Sequence, residues 1–212
     1  MAPLLAFLGV ALVVICTPGP DTMLTIRNTV AGGRRGGVST AAGVSCGQLG
    51  WTLASAVGLA AVLQTSQAVF GWLKLLGGGY LVYLGLRSLV AASRQHTIFD
   101  RNAAPVSLSG AAAFRQGLIS NLANPKMVAF FVSLLPQFIP SGWSPFLGFL
   151  SLGAAFCLLT FLWLSLYAVA RERARSILTR PVIRKTLDVV AGTVLVALGV
   201  RISADGLGEA RR

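Results

Sequence analysis

The sequence is short of acid. Asp and Glu number six against 18 Lys and Arg, and Asp21 is the only carboxylate in the first 99 residues. Histidine occurs once, at His96, in a polar stretch with no second ligand-type residue at metal spacing, so His96 reads as solvated and no metal site is expected. The three cysteines, Cys16, Cys46 and Cys157, each fall in an apolar run, have no CxxC spacing and are odd in number. That excludes a disulfide framework. The glycines at 77–79 are followed by no Lys-Ser/Thr pair, so a phosphate-cradling loop and an ATP-driven pump are excluded as well. With no histidine and one acid in its apolar segments, the chain has neither the nucleophile and base nor the metal that an embedded enzyme needs. No enzymatic activity and no cofactor are expected.

Charge of either sign is scarce. Only 11% of the 212 residues are charged and 55% are hydrophobic, with a mean hydropathy of +0.75. One buried core cannot absorb that much apolar surface, which makes the chain an integral membrane protein with the lipid bilayer as its solvent. The net charge of +12 would suggest nucleic acid if it formed one patch on a soluble fold. Here the basic residues sit between long apolar runs and report topology, so no nucleic-acid partner is expected. The first segment has the length of a signal-peptide core, but it lacks a basic start and continues toward Ile26, so it reads as a mature helix.

At about 20 apolar residues per crossing, the chain divides into six spans, 3–26, 38–63, 69–90, 116–139, 145–170 and 187–204. Arg27, Arg34 and Arg35 follow the first span, Arg87, Arg94, Arg101 and Arg115 surround the third connection, and Arg171, Arg173, Arg175, Arg180, Arg184 and Lys185 crowd the fifth. The connections near Gln64–Gln67 and Pro140–Ser144 carry no charge. The positive-inside rule then makes the basic loops cytoplasmic and puts both termini outside the cytoplasm. Lys74, Trp72 and Trp143 fall at the outer interface, where Lys74 is expected to snorkel.

The most informative stretch is Cys16-Thr17-Pro18-Gly19-Pro20-Asp21, set inside the first span. Two prolines remove two backbone donors and Gly19 loosens the chain between them, so the helix must break near Thr17 and restart at Asp21. A carboxylate at membrane depth is costly, and broken backbone there is tolerated where it is covered by protein or lines a wet cavity. The stretch reads as half of a substrate or ion site. Asp21 can also act as an N-cap, with Thr17 and Thr22 helping, and the two roles are compatible.

A second break, Asn121-Leu122-Ala123-Asn124-Pro125-Lys126, interrupts the fourth span. Pro18 and Pro125 lie 107 residues apart, and the same offset carries span 38–63 onto 145–170, although it carries 69–90 only to 176–197. Three spans per half put the halves in opposite orientation, the pattern of an inverted repeat with a site at its interface. The expected organisation is a first repeat over 1–91, a cytoplasmic linker over 92–113 and a second repeat over 114–212. Lys126 is the expected basic partner of Asp21, because paired charges cost less than lone ones; a shallower Lys126 would snorkel instead. Asn121 and Asn124 either contact a ligand or replace backbone bonds lost at Pro125. Ser45, Gln48, Thr52 and Ser55 make a polar stripe that should face protein or water. Gly43 and Gly47 form a GxxxG pair that allows close packing within the chain or in a homodimer. Tyr80 and Tyr83 read as packing or interfacial residues.

Taken together, Thr17-Pro18-Gly19-Pro20-Asp21, the Gly32-Gly33-Arg34-Arg35-Gly36 turn, Tyr80-Leu81-Val82-Tyr83-Leu84-Gly85, Asn124-Pro125-Lys126 and Leu135-Pro136-Gln137-Phe138 resemble the LysE/RhtB superfamily of bacterial amino-acid exporters. The resemblance covers nearly the whole chain. It implies secondary export of amino acids or their derivatives across the bacterial inner membrane, coupled to a proton or ion gradient. Gln48 stands where many relatives carry an acid, which leaves more of any proton coupling to Asp21. The residues put forward for substrate binding or ion coupling are Asp21, Lys126, Asn121, Asn124, Thr17 and Gln48, with Pro18, Gly19, Pro20 and Pro125 forming the breaks. The expected fold is an all-α membrane protein of six helices in two inverted three-helix repeats, with helices 1 and 4 broken. A passive channel or membrane scaffold is the alternative.

Overall fold

The structure, a computed structural model, describes residues 2–17, 19–65, 67–93, 108–140, 142–178 and 181–210. Pro18, Ser66, Ser141, Arg180 and residues 94–107, which make up most of the expected linker 92–113 and include His96, lie outside them. All regular structure among the described residues is helical. The helices are α1 (Ala2–Cys16), α2 (Pro20–Thr65), α3 (Gln67–Ser93), α4 (Gly110–Leu122), α5 (Pro125–Ala129), α6 (Pro145–Leu178) and α7 (Pro181–Ala210). Between α5 and α6 the chain runs through a π-helical turn, Phe130–Leu134, and a 3-10 turn, Leu135–Phe138. A helix satisfies its backbone groups internally, which is what so apolar a chain requires in lipid.

Val69–Val90, Pro145–Ala170 and Asp188–Gly208 are each long and apolar enough to cross a membrane. Two bent pairs also qualify, Leu4–Cys16 with Pro20–Gly58 at 53° and Gly110–Leu122 with Pro125–Phe138 at 51°, which raises the count to five. Both expected breaks are therefore present. Helical turns extend into the basic stretch expected to be a loop at 28–36, and the break between them is confined to Gly33, within the Gly32–Gly36 turn read from the sequence. The two arms of α2, 20–32 and 34–65, meet at Gly33, whose φ of 64° and ψ of −162° favour glycine. There the chain folds back on itself: Asn28 Nδ2 donates to Thr40 Oγ1 at 2.9 Å, and a Cβ placed on Gly36 would meet the Asn28 carbonyl oxygen at 2.5 Å.

Two groups of helices carry the extensive contacts. In one, α3 lies along α7; in the other, α4 and α6 pack on α2; α1 and the irregular run 125–138 lie between the groups and touch both. The α3–α7 seam is laced with glycine. Gly71, Gly78 and Gly85 recur every seven residues and face Gly206, Gly199 and Gly192 in antiparallel order. A Cβ on Gly78 would lie 2.8 Å from the Gly199 carbonyl oxygen, and one on Gly85 would lie 2.7 Å from that of Gly192. Helices in lipid gain little from the hydrophobic effect and associate through such close packing. The GxxxG pair is used in the same way within the chain, since Gly43 packs on Phe114 and Leu118 of α4 and Gly47 on Asn121.

The irregular run is anchored by aromatics. Phe130 stacks on Phe156 of α6 at 4.1 Å, Phe131 meets Phe156 edge-on at 5.8 Å, and Phe138 meets Phe7 of α1 at 5.8 Å. Pro136 has no amide hydrogen for the Val132 carbonyl, so α-helix cannot continue there, and the chain passes from π to 3-10 geometry before it ends. On α3, Trp72 is exposed, as is Trp143 before α6, in keeping with an interfacial belt. Tyr80 and Tyr83 pack on each other at 5.8 Å, and Tyr83 lies under Arg87. Lys74 is 7% exposed, and its ammonium lies 4.7 Å over the ring of Phe70, one turn nearer the start of α3.

The glycine seam predicts that Gly85→Val lowers stability in detergent by about 1–3 kcal/mol through overpacking. Gly79→Val on the same helix, where a Cβ meets nothing within 4 Å, should leave the melting temperature close to that of the unsubstituted protein. Equal losses in the two variants would show that close approach along α3 and α7 does not hold the pair together.

Candidate functional site

The geometry of the site follows from what proline withholds. In a continuous helix the amide of residue 18 would donate to the Val14 carbonyl, but Pro18 has no amide hydrogen. Lys126 Nζ supplies the missing donor, at 3.1 Å from the Val14 oxygen. A cation is favoured at that point, because the C-terminal end of α1 presents the negative pole of the helix. Gly19 leaves room for it: a Cβ there would lie 3.2 Å from Lys126 Nζ. Thr17, the next residue before the break, is buried and donates its hydroxyl to the Val13 carbonyl at 2.6 Å, so it closes the end of α1 and does not contact Asp21.

Asp21 lies in the first turn of α2, where an anion suits the positive pole of the helix. It is 8% exposed. Its oxygens do not cap their own helix. Oδ1 accepts from Ser120 Oγ at 2.7 Å, and Oδ2 accepts from Asn121 Nδ2 at 2.9 Å and Asn124 Nδ2 at 3.0 Å. Three neutral donors from the second break thus cradle the carboxylate of the first. Each such bond to a charged group contributes about 1.5–3 kcal/mol.

The expected Asp21–Lys126 ion pair is corrected by this geometry. No contact within 4 Å joins them among the described residues; the carboxylate takes amide and hydroxyl donors, and the ammonium takes a carbonyl left without its amide. Both charges sit at the two breaks, each matched by groups of the opposite half. Of the two purposes foreseen for Asn124, the structure shows the replacement of backbone bonds, together with a contact to Asp21 that was not foreseen. Its Oδ1 caps α5 by accepting from the Lys126 amide at 3.1 Å, in place of bonds lost at Pro125, while its Nδ2 holds Asp21. The equivalent carbonyl of the second break, Asn121 O, which also loses a proline donor, accepts from the Asn124 amide at 3.0 Å.

Gln48 is brought near but not into the cradle. Its Nε2 reaches Met127 Sδ at 3.7 Å, beside Lys126. The stripe on α2 does face protein: Thr52 bonds the Gln48 carbonyl at 2.8 Å, and Ser45 reaches the Cys157 carbonyl of α6 at 3.4 Å. Two buried acceptors, Gln48 Oε1 and Asn121 Oδ1, have no hydrogen-bond partner among the described residues. Asn121 is 0% and Gln48 1% exposed, so each carries the cost of an unmatched polar atom. Ser120 was not anticipated, although its position next to Asn121 on a turn already marked as polar was a readable signal. The Val14 carbonyl was legible only through the missing hydrogen of Pro18. No group of three or more His, Cys, Asp or Glu able to hold a metal occurs among the described residues.

These features define a helical membrane protein with two proline-broken spans, a buried acid at one break and a half-buried base at the other. Residues 12–206 match the family model of the LysE type translocators, and the chain belongs to that family. It is 30% identical over 207 residues to the uncharacterized membrane protein YrhP of Bacillus subtilis, covering 95% of this chain and 98% of that one. It is 34% identical over 161 residues to the leucine efflux protein of Salmonella typhimurium, covering 73% of this chain and 74% of that one. An uncharacterized membrane protein of Pseudomonas aeruginosa is 35% identical over 160 residues, 74% of each chain. No solved structure matches.

The cradle predicts coupling between Asp21 and Asn124. Asn124→Ala should cost about 1–3 kcal/mol, by leaving a buried carboxylate short of a donor. Asp21→Ala and Asn124→Ala together should cost less than their sum by more than about 0.5 kcal/mol. Thermal melts of the four proteins in detergent measure this, and additive losses would mean that the bond contributes nothing.

Proposed function

We propose that this protein exports amino acids or amino-acid derivatives from the cytoplasm of a bacterium across its inner membrane, driven by a proton or ion gradient. The observation that carries the reading is that the buried Asp21 carboxylate and the half-buried Lys126 ammonium take different partners at the two breaks. An amino acid is a zwitterion, and here a carboxylate and an ammonium stand at the two proline breaks with no direct contact between them. The substrate ammonium would be matched to Asp21 and its carboxylate to Lys126, in charge-assisted hydrogen bonds. The two unmatched acceptors, Gln48 Oε1 and Asn121 Oδ1, offer further places for ammonium hydrogens. Family membership and the 34% identity to leucine efflux proteins support the direction and the substrate class, and leucine is the first compound to test.

In this reading the arm 34–65 of α2 counts as a crossing of its own, giving six spans. The halves 1–91 and 114–212 are then inverted repeats joined by the cytoplasmic linker 92–113, with both termini outside. The packing of α3 on α7, and of α2 on α6, is what a twofold relation between such halves would produce. Asp21 and Lys126 are groups that can change charge during a cycle, and Asp21 is the natural carrier of a coupled proton. The prolines keep the backbone open at the site, Thr17 closes the end of α1 beside it, and Gln48 borders it. A homodimer is compatible with this reading and is not required by it.

Counterflow of radiolabelled leucine in proteoliposomes tests the transport reading, because a passive channel or scaffold cannot concentrate label against excess unlabelled leucine. Asp21→Asn tests the coupling. Asn retains an oxygen for the Asn121 and Asn124 amides, and the Ser120 hydroxyl can turn to accept from its amide, so the fold should persist. Gradient-driven efflux should fall by roughly the hundredfold that removal of a general acid or base costs. Normal efflux at unchanged expression would leave Asp21 a purely structural role.

A further inference from the structure

A cavity of about 100 Å³ lies away from the breaks, at the end of the bundle that carries the uncharged connections. It is lined by Phe70 and Lys74 of α3, by Pro136, Gln137 and Ile139 in and after the 3-10 turn, and by Pro145 at the start of α6. Four of the six walls are apolar and none is acidic. Lys74 is 7% exposed, with its ammonium over the Phe70 ring, while Gln137 is exposed. An ammonium has three N–H donors, so Lys74 can hold a contact elsewhere and still present one here.

We propose that this cavity is an exit subsite that takes the carboxylate of an amino acid with an apolar side chain, held by Lys74, after it leaves the central breaks. The inference rests on the export reading. The chemistry differs from that of the central site in one respect: the cavity offers a cation and apolar walls but no carboxylate, so it selects for the substrate's acid end and is indifferent to its ammonium. It is mechanically joined to the centre, since Lys126 and Gln137 stand near opposite ends of one irregular run, α5 through the 3-10 turn. Two lysines on one route would let the carboxylate pass from one cation to the next without crossing the apolar interior unpaired.

Isocaproate, which is leucine without its amino group, and leucinamide, which lacks the carboxylate, separate the two sites. Binding to the detergent-solubilised protein is followed by saturation-transfer NMR, which requires no transport. Isocaproate lacks the ammonium that would offset Asp21 at the central site, so its binding should be confined to the cavity: it should bind the unsubstituted protein and Lys126→Gln alike, bind roughly tenfold more weakly to Lys74→Gln, and recover in Lys74→Arg. Isocaproate should not be displaced by leucinamide. Ile139→Trp, which fills the cavity and leaves Lys74 in place, should abolish binding and covers the case in which Lys74→Gln does not fold. Unchanged binding in Lys74→Gln or Ile139→Trp, no binding to the unsubstituted protein, or loss confined to Lys126→Gln would overturn the proposal. Isocaproate binding without leucine counterflow in the same preparation would leave a carboxylate site and refute export.

Discussion

A backbone carbonyl deprived of its amide inside a membrane must find another donor, and a buried carboxylate must find several. The structure meets both needs with one device. The first break exposes the Val14 carbonyl and carries Asp21, and the second brings Lys126 to the carbonyl and three neutral donors, Ser120, Asn121 and Asn124, to the carboxylate. Each break is therefore completed by the other half of the chain. These bonds, together with the packing of α4 on α2, join the two breaks.

The rest of the packing can be understood as holding that junction between two helix groups. On one side the glycine-laced α3 and α7 approach closely along their whole seam; on the other, α2, α4 and α6 are joined by Gly43, Gly47 and the polar stripe. Between them lies the least regular backbone in the molecule, the π and 3-10 turns held by Phe130, Phe131 and Phe138 against α6 and α1. Irregular helix of this kind is common at functional sites, since its bonds can be exchanged at low cost. An element with two neighbouring bond patterns, carrying Lys126 near one end, is suited to move a charge by a small amount while the helix groups stay intact.

Much of this was legible in the sequence, for physical reasons that can be named. Prolines at 18, 20 and 125 must break a helix in any fold, and a lone acid beside one of them must be covered by donors. The boundaries 69–90 and 145–170 follow from apolar length alone and agree with the helices. What pattern could not supply was the choice of partner. Opposite charges at equivalent breaks suggest an ion pair, but the sequence does not say that an orphan carbonyl competes for the lysine or that two asparagines and a serine compete for the aspartate. The extent of helix around Gly33 was likewise hidden, because arginines there read as loop while only the glycine's backbone marks the turn. The position of Lys74 near the start of α3 can be counted along the helix, whereas the Phe70 ring that covers its ammonium cannot. The heptad of glycines on α3 and α7 was readable and went unused.

The central proposal is that Asp21 and Lys126, which make no direct contact, take the two ends of a zwitterion. A structure of the protein with leucine bound would test it most directly. The account predicts leucine at the two breaks, its ammonium within hydrogen-bond distance of Asp21 and its carboxylate at Lys126, with Lys126 released from the Val14 carbonyl. Leucine bound elsewhere, with the Asp21 cradle and the Lys126–Val14 bond both unchanged, would contradict it.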